Sequence, residues 1–242
     1  MIAALLPVKE FSLSKQRLAG LLTPQERALL ARTMFEDVFA ALREAQEMKQ
    51  DLDLLLVVTA EPYVLSRCRQ EGVTVLEERE QLSHSDSVKL ATRWAARLGA
   101  TSLLSVPIDT PAVTPREILS LLREHRKFPV VVVPSADGSG TNALLRTPPD
   151  VIDPHFGPGS CKLHVQAAEA KGLPCSVFHS IGPSTGPTSN GLKSNGLKNN
   201  GLLNDIDTPE DLAHFLSLDR PCRTTELARQ FLRADRETAA CL

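Results

Sequence analysis

The chain has 242 residues, of which 42% are hydrophobic, so it can bury one sizeable core but is too short for two large domains. Its 27 basic and 29 acidic residues give a net charge of −2, which excludes an overall basic field for nucleic acid or an anionic membrane. No apolar run approaches the roughly 20 residues that span a bilayer, and five scattered cysteines without C-x-x-C spacing predict reduced thiols in a cytoplasmic protein.

Short β-like runs alternate with amphipathic helical patterns along the chain. The strands are predicted at residues 2–8, 54–58, 73–76, 102–106, 130–133 and 175–179. The helices are predicted at residues 24–46, 62–71, 87–98, from about 114, 162–171, about 208–218 and from 225. This alternation predicts an α/β fold with one domain over residues 1–242, in which a mostly parallel sheet has helices on both faces.

Helix starts carry the clearest local signals. Thr23, Pro24 and Glu26 provide an N-cap, a proline at the first helical position and the acidic residue of a capping box. Residues 114–117 repeat this pattern, and residues 208–211 also predict a capped helix. The apolar residues expected on one face of the first helix are Leu29, Leu30, Met34, Val38 and Leu42.

The stretch at about 182–203 differs in composition from the rest of the chain. It is rich in Gly, Ser, Asn and Pro and contains three near-copies of one pentamer, at residues 189–193, 194–198 and 199–203. These copies are far shorter than a solenoid repeat. We therefore interpret this stretch as a flexible, low-complexity loop.

Three aspartates are candidate metal ligands. Asp109 follows an apolar strand directly, and ligands bind at the carboxyl ends of strands in open parallel sheets. Asp205 and Asp207 lead into a helix and lie on the same side if their segment is extended. Carboxylates from separate strands suit Mg²⁺, which prefers oxygen ligands. Alternatively, Asp109 caps the turn into the next helix and Asp207 caps its own helix, and position alone does not separate these readings.

The loop after the first strand places three cations, Lys9, Lys15 and Arg17, within nine residues. A triphosphate needs such charges at this edge of a sheet. Basic residues in a loop are more often only solvated, so the signal is weak by itself.

Two glycine-containing stretches could form ligand loops. Residues 137–143 formally match G-x-G-x-x-A, but Pro148 and Pro149 leave no room for the long helix that a dinucleotide site needs. The sequence F-G-P-G-S at residues 156–160 precedes a helix, whose first N–H groups and Ser160 hydroxyl can hold a phosphate or carboxylate. The alternative is that Ser160 only caps its own helix.

Six motifs extend over nearly the whole chain. They are L-P-V-K at 6–9, K-x-R-L at 15–18, P-I-D at 107–109, D-G-S-G-T-N-A-L at 137–144, F-G-x-G-S at 156–160 with His164, and D-I-D-T-P-E-D-L at 205–212. Together they resemble the guanylyltransferases of coenzyme F-420 biosynthesis, the CofC or FbiD family, and D-G-S-G-T-N-A-L followed by F-G-x-G-S is quite specific. Where many members have G-L-N, this chain reads S-H-S-D-S-V at 83–88.

The resemblance implies a fold of the nucleotide-diphospho-sugar transferase (GT-A-like) type and transfer of GMP from GTP to a small phosphorylated acid. The acceptors in the family are phosphoenolpyruvate, 2-phospho-L-lactate and 3-phosphoglycerate. The implied roles are Mg²⁺ binding by Asp109, Asp207 and Asp205; catalysis by Asp109, Asp207 and Lys15; acid binding by Thr141, Gly157 and Ser160; and nucleotide binding by Pro7, Val8, Lys9, Lys15, Arg17 and Ser85.

Two other functions stay open at this point. One is nucleotidyl transfer to a different acceptor, such as a sugar acid or molybdopterin, or glycosyl transfer on a similar sheet. The other is a non-catalytic nucleotide-binding or scaffold module. We expect no nucleic-acid or membrane partner, and the sequence leaves a homodimer open.

Overall fold

A computed structural model describes residues 1–79, 82–178 and 201–240, with side chains described up to residue 233. The strands are β1 Ile2–Val8, β2 Leu54–Thr59, β3 Thr74–Glu77, β4 Ser102–Ser105, β5 Val130–Pro134, β6 Thr141–Arg146 and β7 Cys175–Val177. They form one sheet in the order β3-β2-β1-β4-β6-β5-β7. β6 pairs antiparallel with both of its neighbours, and the other pairs are parallel. The predicted mostly parallel sheet is confirmed.

Helices cover both faces of this sheet. Their bounds are α1 Pro24–Glu47, α2 Pro62–Gln70, α3 His84–Arg97, α4 Pro115–Arg123, α5 Ser160–Glu169, α6 Pro209–Ser217 and α7 Arg223–Ala240. Successive residues of β1 point to opposite faces, as in any strand. Leu6 packs with Phe35 of α1 on one face, while Leu5 packs with Ala91 of α3 on the other. Both faces of the central strands are therefore core, which explains their continuous apolar sequences.

The predicted helix starts are largely confirmed. Capping boxes at Thr23, Thr114 and Thr208 are all formed, each with a proline in the first turn. α3 begins at His84 with Ser83 as its N-cap, three residues before the prediction. The prediction for Leu29 is wrong, because this side chain is 45% exposed while Leu30, Met34, Val38 and Leu42 are buried.

Strand β6 has no counterpart among the predicted strands. Its first residues, Thr141 and Asn142, follow a glycine-rich turn and do not show an apolar strand pattern. The segment nevertheless pairs with β5 along most of its length and with β4 over its last three residues, and all six of its residues are buried. Tertiary pairing decided this element where local sequence did not.

The final residues of the predicted flexible loop contradict that prediction. Gly201–Leu203 forms a buried 3₁₀ turn, and the Gly201 N–H donates to Glu117 Oε1 at 2.9 Å. A Cβ at Gly201 would lie 2.1 Å from the Ala112 carbonyl oxygen, so only glycine fits there. The rest of the predicted loop, residues 182–200, lies outside the described residues.

The cysteines that the structure describes are unpaired, as the sequence predicts. Cys68, Cys161, Cys175 and Cys222 are free thiols, and Cys241 lies outside the described residues. Within the described ranges, no helix combines the length and apolarity that a membrane crossing requires.

Candidate active site

The candidate active site is a cleft of about 460 Å³ at the carboxyl-end edge of the parallel strands. Asp109 reaches it from the turn after β4. Because β6 runs in the opposite direction, its amino end with Thr141 and Asn142 lies at the same edge. The segment that carries Asp205 and Asp207 is fixed there by a bond from the Ile206 N–H to the Asp109 carbonyl oxygen, 3.0 Å long. The sheet therefore brings together residues that are remote in sequence.

Lys15 lies between two of the predicted metal ligands. Its Nζ donates to Asp109 Oδ1 at 2.5 Å, to Asp207 Oδ1 at 3.0 Å and to the Ile206 carbonyl oxygen at 2.6 Å. Burial lowers the pKa of Lys15, but the two carboxylates raise it by more, so its pKa lies above the ordinary value and the group stays charged. Its backbone has a φ of 54°, the left-handed region that a lysine adopts only when surrounding contacts enforce it.

The acidic side chains fit a small hard cation. Burial raises the pKa of Asp109, and the nearby Asp207 adds to this effect while Lys15 opposes it. One ammonium contacts both carboxylates, so the two are close enough to share a cation. Mg²⁺ typically takes one or two carboxylates and completes its shell with water and phosphates. Among the described residues, no group of three or more His, Cys, Asp or Glu side chains is arranged around a metal position.

Asp205 lines the same cleft but has a different partner. Its Oδ1 accepts a hydrogen bond from Asn142 Nδ2 at 2.9 Å. Burial raises the pKa of Asp205, whereas the Asn142 bond lowers it in part. The structure thus brings Asp205 to the cleft beside Asp207, as expected for an extended segment, and its role as a metal ligand stays a prediction.

The three capping alternatives are wrong. Thr114, not Asp109, caps α4, and Thr208, not Asp207, caps α6. The N-cap of α5 is Gly159, whose φ of 74° suits glycine, and it provides no side-chain cap. Ser160 is the first helical residue, and its hydroxyl is directed elsewhere.

Thr141 and Gly157 line one corner of the cleft, and Ser160, which is buried and bonded to Thr141, completes what we call the hydroxyl corner. Ser160 Oγ donates to Thr141 Oγ1 at 2.9 Å, and both residues are at least nine-tenths buried. Gly157, with a φ of 118°, lines the cleft beside them. Thr141 also contacts the ring of His164, at 3.1 Å from Nδ1. Hydroxyl groups and a helix N-terminus together form a corner suited to an anion.

The predicted nucleotide-binding residues are only partly brought together. Arg17 is exposed and lines the cleft, while Pro7, Lys9 and Lys15 line an adjoining hollow of about 270 Å³. Lys9 Nζ donates to Ser87 Oγ at 2.5 Å and to Glu78 Oε2 at 3.2 Å.

Two predicted nucleotide contacts face other parts of the molecule. The Val8 side chain is 1% exposed and packs in the core. Ser85 Oγ accepts from the Phe156 N–H at 3.0 Å and so helps to hold the loop at residues 156–160, which is predicted to bind the acid.

Sequence reasoning missed several residues of this site. His84 lines both the cleft and the adjoining hollow, and its ring meets Phe156 edge-on at a centroid distance of 4.6 Å. Burial, and to a lesser extent Lys9, lower the pKa of His84 to about 4, so it is neutral. Asp137 holds the neighbouring glycine-rich turn by accepting from Ser135 Oγ and from the Ser139 N–H. His84 does not follow a strand directly, so no local signal marked it. Asp137 does follow β5 closely and begins the D-G-S-G-T-N-A-L motif, and this signal could have identified it.

The sheet order and the helices on both of its faces define the fold of a nucleotide-diphospho-sugar transferase. The structure matches a solved structure from Desulfovibrio desulfuricans that bears the name nucleotide-diphospho-sugar transferase, with a TM-score of 0.71 over 98% of each chain. The two sequences are 16% identical, so this likeness concerns the fold alone. It confirms the predicted GT-A-like fold type.

Sequence comparison identifies the family. A model of the "guanylyl transferase CofC like" family matches residues 2–185. The phosphoenolpyruvate guanylyltransferase of Conexibacter woesei is 35% identical over 86% of this chain and 84% of the relative. The 3-phospho-D-glycerate guanylyltransferase of Colwellia psychrerythraea is 31% identical over 89% and 91%, and the 2-phospho-L-lactate guanylyltransferase of Methanothermobacter thermautotrophicus is 30% identical over 73% and 75%. The chain belongs to the CofC-like guanylyl transferase family, and the resemblance found from its motifs is confirmed.

Proposed function

We propose that this protein is a guanylyltransferase of coenzyme F-420 biosynthesis that joins GMP from GTP to the phosphate of a small phosphorylated acid and releases pyrophosphate. The acceptor is phosphoenolpyruvate or 2-phospho-L-lactate, with 3-phosphoglycerate as a further candidate. Family membership and the names of the relatives support the reaction class. The observation that carries the proposal is that Asp109 and Asp207, both bonded to Lys15, line one cleft together with Thr141, which Ser160 contacts from behind.

The reaction needs no protein nucleophile. An oxygen of the acceptor phosphate attacks the α-phosphorus of GTP, forming a new P–O bond. The bond between that phosphorus and the oxygen bridging to the β-phosphate breaks, and pyrophosphate leaves with the electron pair. Catalysis is then a matter of positioning both anions and stabilising charge.

Each side of the cleft has a distinct task in this reaction. Asp109 and Asp207 would hold Mg²⁺, which when bound neutralises charge shared by the two phosphate groups. Arg17 is exposed at the cleft and can contact the triphosphate, as can Lys9 from the adjoining hollow. Thr141, Gly157 and Ser160 orient the acid so that its phosphate faces the α-phosphorus.

Pyrophosphate release tests the proposal directly. The purified protein is mixed with Mg²⁺, one nucleoside triphosphate and one acceptor, and GTP, ATP, CTP and UTP are each combined with the three phosphorylated acids, a sugar acid and molybdopterin. We expect release only when a phosphorylated acid is present, with GTP preferred. Release that depends on a sugar acid or molybdopterin instead would favour the alternative acceptors, and no release with any acceptor would favour a non-catalytic module.

A variant pair tests the role of the aspartates. Asp109→Asn removes a carboxylate charge from the cleft while keeping the side chain's shape, and we expect kcat/KM to fall by at least about 100-fold. Asp150→Asn makes the same change at an exposed position outside the cleft and should behave like the wild type. Equal kcat/KM values for the two variants would contradict the metal role.

The homodimer and the cytoplasmic location expected from the sequence stay predictions.

A further inference from the structure

A buried histidine stands directly behind the hydroxyl corner of the cleft. His164 is 0% exposed and lies one helical turn after Ser160 on the same face of α5, so both residues are directed at the start of β6. Its Nδ1 is 3.1 Å from Thr141 Oγ1, and its Nε2 is 2.9 Å from the backbone nitrogen of His155. The ring therefore links the loop before α5 to Thr141 of β6 through hydrogen bonds from its two nitrogen atoms.

The partner at Nε2 determines which tautomer the ring adopts. A backbone N–H can only donate, so Nε2 must be the acceptor of the bond from His155. In a neutral imidazole the other nitrogen then carries the hydrogen. The Nδ1–H of His164 consequently donates to Thr141 Oγ1, and Thr141 accepts in that bond.

The ring is neutral in the folded protein. Burial, together with smaller contributions from the nearby His155 and Arg146, lowers the pKa of His164 to about 4. The fully buried Arg146 guanidinium donates to the Ile152 carbonyl oxygen and to Thr92 Oγ1. The ring of Phe156 meets His164 edge-on at 5.6 Å and so restricts its orientation. Packing and charge together keep one tautomer in one orientation.

These bonds determine how Thr141 can meet a ligand. A hydroxyl oxygen has two lone pairs and one hydrogen. Thr141 Oγ1 accepts one bond from His164 and a second from Ser160 Oγ. Both lone pairs are then used, and Thr141 can offer a ligand in the cleft only its own hydrogen. A ligand atom at this point must be an acceptor, such as an oxygen of a phosphate or carboxylate.

We propose that His164 is a positioning residue that makes the Thr141 hydroxyl an obligatory donor and so selects an anionic group of the acceptor. The inference rests on the proposed function because it names the acid as the ligand of this corner. His164 itself does not contact the cleft; it acts through Thr141. The outcome is a preference for a deprotonated oxygen over a hydroxyl group at that point, because a charged oxygen accepts a stronger hydrogen bond from a fixed donor than a neutral hydroxyl does.

Two substitutions separate the donor role from simple packing. His164→Asn places an amide N–H near the position of Nδ1 and can keep the bond to Thr141. His164→Gln places its amide near the position of Nε2 and removes that donor. We expect His164→Gln to raise the KM for the acid about tenfold, the effect of one lost hydrogen bond of about 1.4 kcal/mol, while the KM for GTP changes by less than about twofold. His164→Asn should recover most of the affinity for the acid.

Equal KM values for the acid in wild type and His164→Gln would overturn the inference, and so would a parallel rise in the KM for GTP. Thermal denaturation of both variants establishes that they are folded. If the wild type releases no pyrophosphate with any acid, the proposed function fails. The position of the hydrogen on the His164 ring can still be measured in that case, and it tests this inference separately. Long-range ¹H–¹⁵N correlation spectra of the wild-type histidines should show His164 protonated at Nδ1. Protonation at Nε2 would overturn the proposal whatever the kinetics show.

Discussion

Replacing Lys15 by methionine tests whether this residue holds the acidic pair together. The substitution removes three hydrogen bonds from Nζ, to Asp109, Asp207 and the Ile206 carbonyl oxygen, while keeping most of the apolar length of the side chain. Two carboxylates that share one ammonium are then left facing each other without a cation. The strained backbone at residue 15, with a φ of 54°, loses the contacts that enforce it.

The expected loss of stability follows from how deeply Lys15 and the two carboxylates are buried. Removing one partner of a fully buried ion pair costs about 3–5 kcal/mol. Here the lysine side chain is 3% exposed, but the carboxylates of Asp109 and Asp207 are 33% and 44% exposed, so water recovers part of the loss. We expect about 2 kcal/mol, which corresponds to a fall in Tm of about 4–8 °C in a chain of this length.

Thermal denaturation with and without Mg²⁺ measures two effects of Lys15→Met, the loss of stability and the change in how strongly Mg²⁺ stabilises the protein. In the wild type a divalent cation must compete with the ammonium for the two carboxylates, whereas in the variant it meets no such competitor. Excess Mg²⁺ should therefore raise the Tm of the variant more than that of the wild type. Lys162→Met, at an exposed position of α5, is the matched control and should leave the Tm unchanged. A Lys15→Met protein that melts within about 1 °C of the wild type would refute the reasoning.

Two further predictions concern stability. Gly201→Ala should lower the free energy of unfolding by about 3 kcal/mol, because the new Cβ would lie 2.1 Å from the Ala112 carbonyl oxygen. Gly20→Ala is the control, since a Cβ at residue 20 meets nothing within 4 Å; equal midpoints of the two variants in chemical denaturation would contradict the packing at residue 201. His164 binds its proton less tightly when folded, so the unfolded state takes up more protons between pH 6.5 and about pH 4, and stability falls as the pH falls through that window. Between pH 7 and pH 5, His164 alone should lower the free energy of unfolding by about 2 kcal/mol. Denaturation of His164→Asn at both pH values tests this, and a variant with the same pH dependence as the wild type would contradict it.

Much of the fold follows from local sequence. The capping boxes at Thr23 and Thr114 depend on residues three positions apart, and continuous apolar runs identify β2 and β5 as strands buried on both faces. Asp109 could be recognised as a site residue because it directly follows β4, and the carboxyl end of a parallel strand is a general binding position. These signals act over a few residues, so a single sequence contains them.

Other features depended on which strands become neighbours. β6 was not predicted because its residues acquire strand structure only between β5 and β4, and its reversed direction is what brings Thr141 to the acidic edge. Ser85 was expected at the nucleotide, yet it holds the Phe156 N–H, a contact across 71 residues. Such contacts arise from the order and direction of strands, which is a property of the whole chain.

The sequence by itself determined the fold class, the capped helices and which acids and bases were available for chemistry. Only the tertiary structure decided that Lys15 would sit between Asp109 and Asp207, the latter 192 positions away, and that His164 would control the hydroxyl of Thr141. The physical reason is that caps and periodicity arise from interactions between near neighbours. A hydrogen bond between remote side chains forms only after packing of the complete core has fixed the distance between their backbones.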